Sequence, residues 1–193
     1  MPLPDVLPSA DCIRCRGKQW AFKKVIALGP YQDDLRDVVV AIKKPSSEPL
    51  RQAVAELLAT QVIARLPDAG DPPLIVPVPN HWSHSWGYAA DTAGLLAASL
   101  SRFTGIPTAR GAIRRTRKTR KQGMLPWSDR GKNVAGAFKI LRAKPLKGRH
   151  IFLVDDVLTS GATAAEVAKL LLRGGAARVD VAVVARGTGT KSL

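Results

Sequence analysis

The sequence predicts an α/β domain built on a mostly parallel sheet. Three observations carry this. Short apolar runs alternate with longer segments of helical spacing along the chain. Ile151-Phe152-Leu153-Val154 is apolar at every position, as a strand covered on both faces must be. Hydrophobic residues make up 46% of 193 residues, and a domain of this length buries about 70% of its unfolded surface without a disulfide or metal staple.

Each element has its own signal. Residues 1–20 are Pro-rich and irregular, with Cys12-Ile13-Arg14-Cys15 inside them. Lys24 to Leu28 is a short strand. Asp33-Asp34 caps a helix from Leu35 to about Lys43, and Pro45 stops it. From Pro49 to Leu66, apolar residues at 50, 53, 54, 57, 58, 62 and 66 follow helical spacing. Asp68–Pro73 is a turn-rich linker. Leu74-Ile75-Val76 starts a buried strand whose prolines, Pro77 and Pro79, take its end out of a regular ladder. Tyr88 to Phe103 reads as a helix and Ile106 to Ala109 as a short strand. Ile113 to Arg130 is basic, poor in aliphatics and without a period, so it reads as a long surface loop. Gly136 to Leu141 is a strand. A helix starts at Gly161-Ala162-Thr163 and ends before Gly174-Gly175. Arg178 to Ala185 is the last strand.

Composition narrows the function. No apolar run approaches the roughly 18 residues of a membrane span, and the N-terminus lacks the basic and apolar regions of a secretory signal. Two cysteines exclude a disulfide framework. A cytoplasmic protein is expected. Net charge is +15, and residues 102–150 hold 15 of the 30 basic residues and a single acid, Asp129. A stretch this basic implies an anionic partner, either nucleic acid or a phosphorylated small molecule.

The chemistry concentrates in Ile151–Thr163. An apolar strand ends in Asp155 and Asp156, and a turn of Thr159, Ser160, Gly161, Ala162 and Thr163 opens a helix. Ligands of open parallel sheets sit outside the carboxyl ends of the strands. Ionised carboxylates only accept hydrogen bonds, so a vicinal diol suits them. Hydroxyls and free N–H groups at a helix start suit a phosphate. A diol beside a phosphate describes a ribose 5-phosphate. A Walker-type nucleotide site would need G-x-x-x-x-G-K-[ST], which is absent. The dinucleotide fingerprint fails too, because Gly187-Thr188-Gly189 leaves no room for a helix after it. A plain helix cap needs one polar residue, not this cluster.

Val154 to Thr163 (VDDVLTSGAT) resembles the phosphoribosyl pyrophosphate (PRPP) motif of type I phosphoribosyltransferases. More narrowly, the chain resembles the competence protein F (ComF) family. Ile75–Pro79, Thr119, Gln122 and Leu125 (T-x-x-Q-x-x-L), Asp129-Arg130, Asn133-Val134, Gly136-Ala137-Phe138 and Gly175–Arg186 carry that likeness. It implies a Rossmann-like phosphoribosyltransferase domain over 25–193, behind a segment 1–24 that would be the remnant of a zinc module. It implies that Asp155 and Asp156 contact the ribose hydroxyls directly or through Mg²⁺, and that Thr159, Ser160, Gly161, Ala162 and Thr163 hold the 5-phosphate. Pro79, Asn80 and His81 would approach the pyrophosphate. Arg115, Arg117, Lys118, Arg120, Lys121 and Arg130 would form a flexible basic loop over the site.

The sequence departs from the family in two places. The family's N-terminal module carries two C-x-x-C pairs, whereas this chain has only Cys12 and Cys15, so zinc is not expected. The family's Arg-rich pyrophosphate loop is replaced by Asn80–Ala90, which holds His81, His84, Trp82 and Trp86 but no arginine. The partners implied are PRPP with Mg²⁺, an acceptor that the sequence does not name, single-stranded DNA or a DNA-uptake protein on the basic stretch, and a second copy of the chain.

Overall fold

The apolar run at Ile151–Val154 becomes the heart of a four-stranded parallel sheet. The computed structural model describes residues 19–66, 70–80, 91–120 and 124–187. In chain order the elements are β1 (Val25–Pro30), α1 (Asp33–Ala41), α2 (Glu48–Ile63), β2 (Pro73–Pro77), α3 (Thr92–Thr104), β3 (Ile113–Arg115), α4 (Asp129–Val134), β4 (Phe138–Ile140), β5 (His150–Leu158), α5 (Ala162–Arg173) and β6 (Arg178–Arg186). The sheet order is β1-β6-β5-β2, and every pairing in it is parallel. β3 and β4 form a separate antiparallel pair.

Alternation along each strand feeds two cores. Ile151 and Leu153 face α5, β3 and β4. Phe152 and Val154 face α1, α2 and α3. All four are completely buried. The sheet is thus a central layer between two apolar layers, the arrangement expected of an α/β domain.

Three helix readings change. α1 begins at Asp33, so the two acids sit inside its first turn rather than capping it; there they suit the positive end of the helix dipole. α2 stops at Ile63 and leaves Leu57 60% exposed, while Arg51 is buried on its inner face. α3 begins at Thr92, later than Tyr88, because Asp91 accepts the Gly94 N–H at 3.0 Å and caps it.

The 113–130 stretch is not all loop. Its start is β3 and its end is α4; a three-residue strand and a six-residue helix are too short to show a period. The expected strand at 106–109 reduces to a bridge, in which Pro107 accepts from Ile75 and Ala109 donates back to it, both at 2.9 Å. β5 runs on through Asp155 and Asp156 to Leu158, so the carboxylates belong to the strand itself.

The N-terminal end of the sheet is tied by one buried acid. Asp180 accepts from the Lys24 N–H at 3.0 Å and from Arg178 Nη2 at 2.8 Å, and shares a 3.0 Å hydrogen bond with His150 Nε2. Burial alone would push its carboxyl up, but His150 and Arg178 outweigh burial and hold it below the ordinary range. Trp20 and Phe22 stack at 5.3 Å, with Phe22 buried in the α5-side core.

Candidate functional site

The carboxyl ends of β5 and β2 form one edge. Pro77 pairs with Val154, and the Val78 N–H bonds the Val154 carbonyl at 2.8 Å. Pro79 and Asn80 therefore emerge beside Asp155 and Asp156. His81, Trp82, His84 and Trp86 lie outside the described residues, as do Cys12, Cys15 and Lys121.

Asp155 and Asp156 are both half-buried. Each folds back on the chain: Asp155 accepts the Asp156 N–H at 2.9 Å and Asp156 accepts the Val157 N–H at 2.7 Å. Their surroundings differ. Asp156 is paired to Lys43 Nζ at 2.7 Å. Burial, and next the charge of Asp156, push the Asp155 carboxyl well above the usual carboxylate range, with Lys43 opposing only in part. Burial also works against the Lys43 ammonium, yet the charge and hydrogen bond of Asp156 carry its pKa above the ordinary lysine value.

The turn that follows is built for close approach. Gly161 has φ +73°, a left-handed conformation natural to glycine, and it sits directly before α5. Ser160 Oγ accepts the Ala162 N–H at 3.4 Å. A Cβ on Gly161 would meet the Trp20 ring at 3.1 Å, so an aromatic from the start of the described chain covers this turn. Thr159 is exposed, and Ala162 and Thr163 are half-buried.

Five of the six basic residues expected of a flexible loop are described, and they divide into separate roles. Arg115 is on β3, half-buried, with its guanidinium 5.2 Å from the Phe138 ring and its buried Nε without a partner among the described residues. Burial lowers its pKa, and the Asp155 charge works against that. Arg117 donates to the Ala135 carbonyl at 2.7 Å. The Arg120 backbone is gripped twice by the Asn133 side chain, at 3.1 and 3.0 Å. Arg130 lies over Trp127 and donates to the Leu125 carbonyl at 3.2 Å. Lys118 is exposed. At the base of this region, Glu166 on α5 accepts the Gly136 N–H at 2.8 Å.

Sequence reading missed Lys43, Arg51 and Trp20. Lys43 carries no local signal. Arg51 had one: an arginine sharing a helix face with Val54, Ala55, Leu58 and Val62, where a charge needs a reason to be buried. Trp20 and Phe22 alternate like an entering strand.

Comparison with known proteins gives the family. The phosphoribosyl transferase domain family matches residues 89–192. DNA utilization protein YhgH of Escherichia coli (strain K12) is 33% identical over 93% of this chain and 79% of its own length. Competence protein F of Haemophilus influenzae is 30% identical over 91% of this chain and 78% of its own. A solved glutamine PRPP amidotransferase from B. subtilis superimposes with a TM-score of 0.44 at 19% identity, over 69% of this chain and 25% of that one. The family match and these two relatives give one conclusion: the chain belongs to the phosphoribosyl transferase domain family, in its competence protein F and YhgH branch.

Proposed function

We propose that the β5–α5 edge binds PRPP with Mg²⁺ and that the chain transfers the phosphoribosyl group to an acceptor, releasing pyrophosphate. The observation that carries this reading is the juxtaposition of two adjacent half-buried carboxylates with a left-handed glycine turn at a helix start. Mg²⁺ is commonly held by one or two carboxylates together with substrate oxygens. No cluster of three or more metal-ligating groups stands among the described residues, so a metal here would depend on ligand oxygens. Asp155 and Asp156, adjacent at the end of β5 and like in charge, fit that donor set.

In this reading Asp155 and Asp156 hold the metal and the ribose hydroxyls. The metal, when bound, supplies positive charge to the ribose and pyrophosphate oxygens. Thr159, Ser160 and the N–H groups opening α5 take the 5-phosphate. The bond from ribose C1 to the pyrophosphate oxygen breaks, and its electron pair leaves with pyrophosphate. A lone pair of the acceptor forms the new bond to C1, and the acceptor's proton passes to solvent. Arg115 is a fixed cation held near this charge, supplying part of what the arginine-free 80–90 loop lacks. Pro79, Asn80 and His81 flank the leaving group. No nucleophilic side chain takes part.

The test is calorimetric titration of Mg²⁺–PRPP into the protein and into the Asp155→Asn/Asp156→Asn variant. Micromolar binding that the variant loses supports the reading, and equal affinity in both overturns it. A pyrophosphate-release screen over candidate bases then addresses turnover. The exposed Arg114, Arg117, Lys118, Arg120, Lys132, Lys139 and Arg142 favour a second reading, in which this face binds single-stranded DNA in a cytoplasmic DNA-handling role. Backbone contacts would make that affinity fall steeply with salt. A flat salt response argues against it.

A further inference from the structure

Lys43 stands far from Asp156 in sequence yet pairs with it at 2.7 Å. It lies just past the end of α1, in the short connection to α2. Buried Arg51, 3% exposed, fixes the backbone of that connection. It donates to the carbonyls of Ile42 at 3.0 Å, Lys44 at 2.7 Å and Pro45 at 3.2 Å, and Glu48 Oε2 holds it from the other side at 2.9 Å. The backbone of Lys43 is therefore bracketed, while its side chain is half-exposed and free to swing on its four-carbon stem.

The carboxylate pair is thus already attended by a side-chain cation, with Lys43 touching Asp156. A dication approaching this edge meets an ammonium on the oxygen it needs, and like charges repel. A phosphorylated ligand changes this balance, because it brings anionic oxygens that can take the ammonium over.

We propose that Lys43 is the resident counter-cation of Asp156, and that it makes metal entry conditional on a phosphorylated ligand. The metal then arrives with that ligand, while Lys43 moves from the carboxylate to the ligand's anionic oxygens. Lys43 is a positioning residue in this scheme. The scheme rests on the reading of the edge as a metal and PRPP site.

Mn²⁺ serves as a paramagnetic probe of the full chain, titrated with and without PRPP. The wild type is expected to bind Mn²⁺ weakly alone and about tenfold more tightly with PRPP, within the usual range of coupling between two ligands. Lys43→Met is expected to bind Mn²⁺ alone about tenfold more tightly than the wild type. Lys43→Arg, which keeps the charge, is expected to follow the wild type. Mn²⁺ affinity in Lys43→Met equal to that of the wild type overturns the proposal, while PRPP-dependent Mn²⁺ binding in both leaves the site reading intact. Absence of Mn²⁺ binding in every form, with and without PRPP, overturns the site reading and the role of Lys43 with it.

Discussion

The two ends of the parallel sheet hold aspartates of opposite character. At the N-terminal end, Asp180 is 1% exposed and surrounded by donors: a backbone N–H, both nitrogens of a guanidinium fork and an imidazole. Its pKa is lowered. At the C-terminal end, Asp155 accepts from the N–H of its neighbour and has a like charge beside it. Its pKa is raised. The same residue type is surrounded by donors where it holds strands together and crowded by a like charge at the candidate site. Burial pushes both carboxyls up, and their partners set the two apart.

The comparison can be tested from its strongest effect downward. Asp180→Asn leaves Arg178 and His150 facing a neutral amide, so stability is expected to fall by about 3–5 kcal/mol, the usual result of breaking a buried ion pair. A large drop in the urea midpoint would show it. Asp155→Asn/Asp156→Asn should act elsewhere: PRPP affinity falls roughly 100-fold from the loss of charged hydrogen bonds, while the melting temperature stays nearly level, relief at Asp155 offsetting the lost Lys43–Asp156 pair. The sign of that relief follows from Asp155. A folded-state pKa raised above the unfolded value means that ionisation at neutral pH opposes folding, and an amide removes that opposition. A clear loss of melting temperature in this variant would break the comparison.

Asp180 also sets an acid limit. Its lowered pKa contributes stability that is fully present above the unfolded value of about 3.9, and is lost as pH falls through the lower folded value. Urea titrations from pH 6 downward should show a steeper acid decline in the wild type than in Asp180→Asn. Gly161→Ala is a smaller change. A left-handed backbone costs an ordinary residue about 1–2 kcal/mol, and the new Cβ presses on Trp20. PRPP affinity and Trp fluorescence should shift together. Smallest is Asn133→Ala, which removes both bonds to the Arg120 backbone. It should cost about 1 kcal/mol locally, seen as faster hydrogen exchange at the Arg120 amide with little change in global stability.

The fold was legible where pattern and burial coincide. Ile151–Val154 shows both at once, so the central strand and the acids after it could be placed from sequence. β3 and β4 could not be paired from sequence, since each has three residues and Ile113–Arg115 sits inside a basic run. The site was legible only in its contiguous half. Asp155 to Thr163 form one segment, and their chemistry follows from their order. Lys43, Arg115 and Trp20 reach the edge through the chain's topology, and no local spacing connects Lys43 with Asp156.

The grip of Arg51 on the connection between α1 and α2 has an evolutionary consequence. A loop held by one guanidinium at the carbonyls of Ile42, Lys44 and Pro45 has a fixed length. A residue inserted or deleted there would pull carbonyls away from a buried guanidinium that needs them. Among related chains this connection should vary in side chains but not in residue count, unlike an ordinary surface loop, where drift in length is readily tolerated.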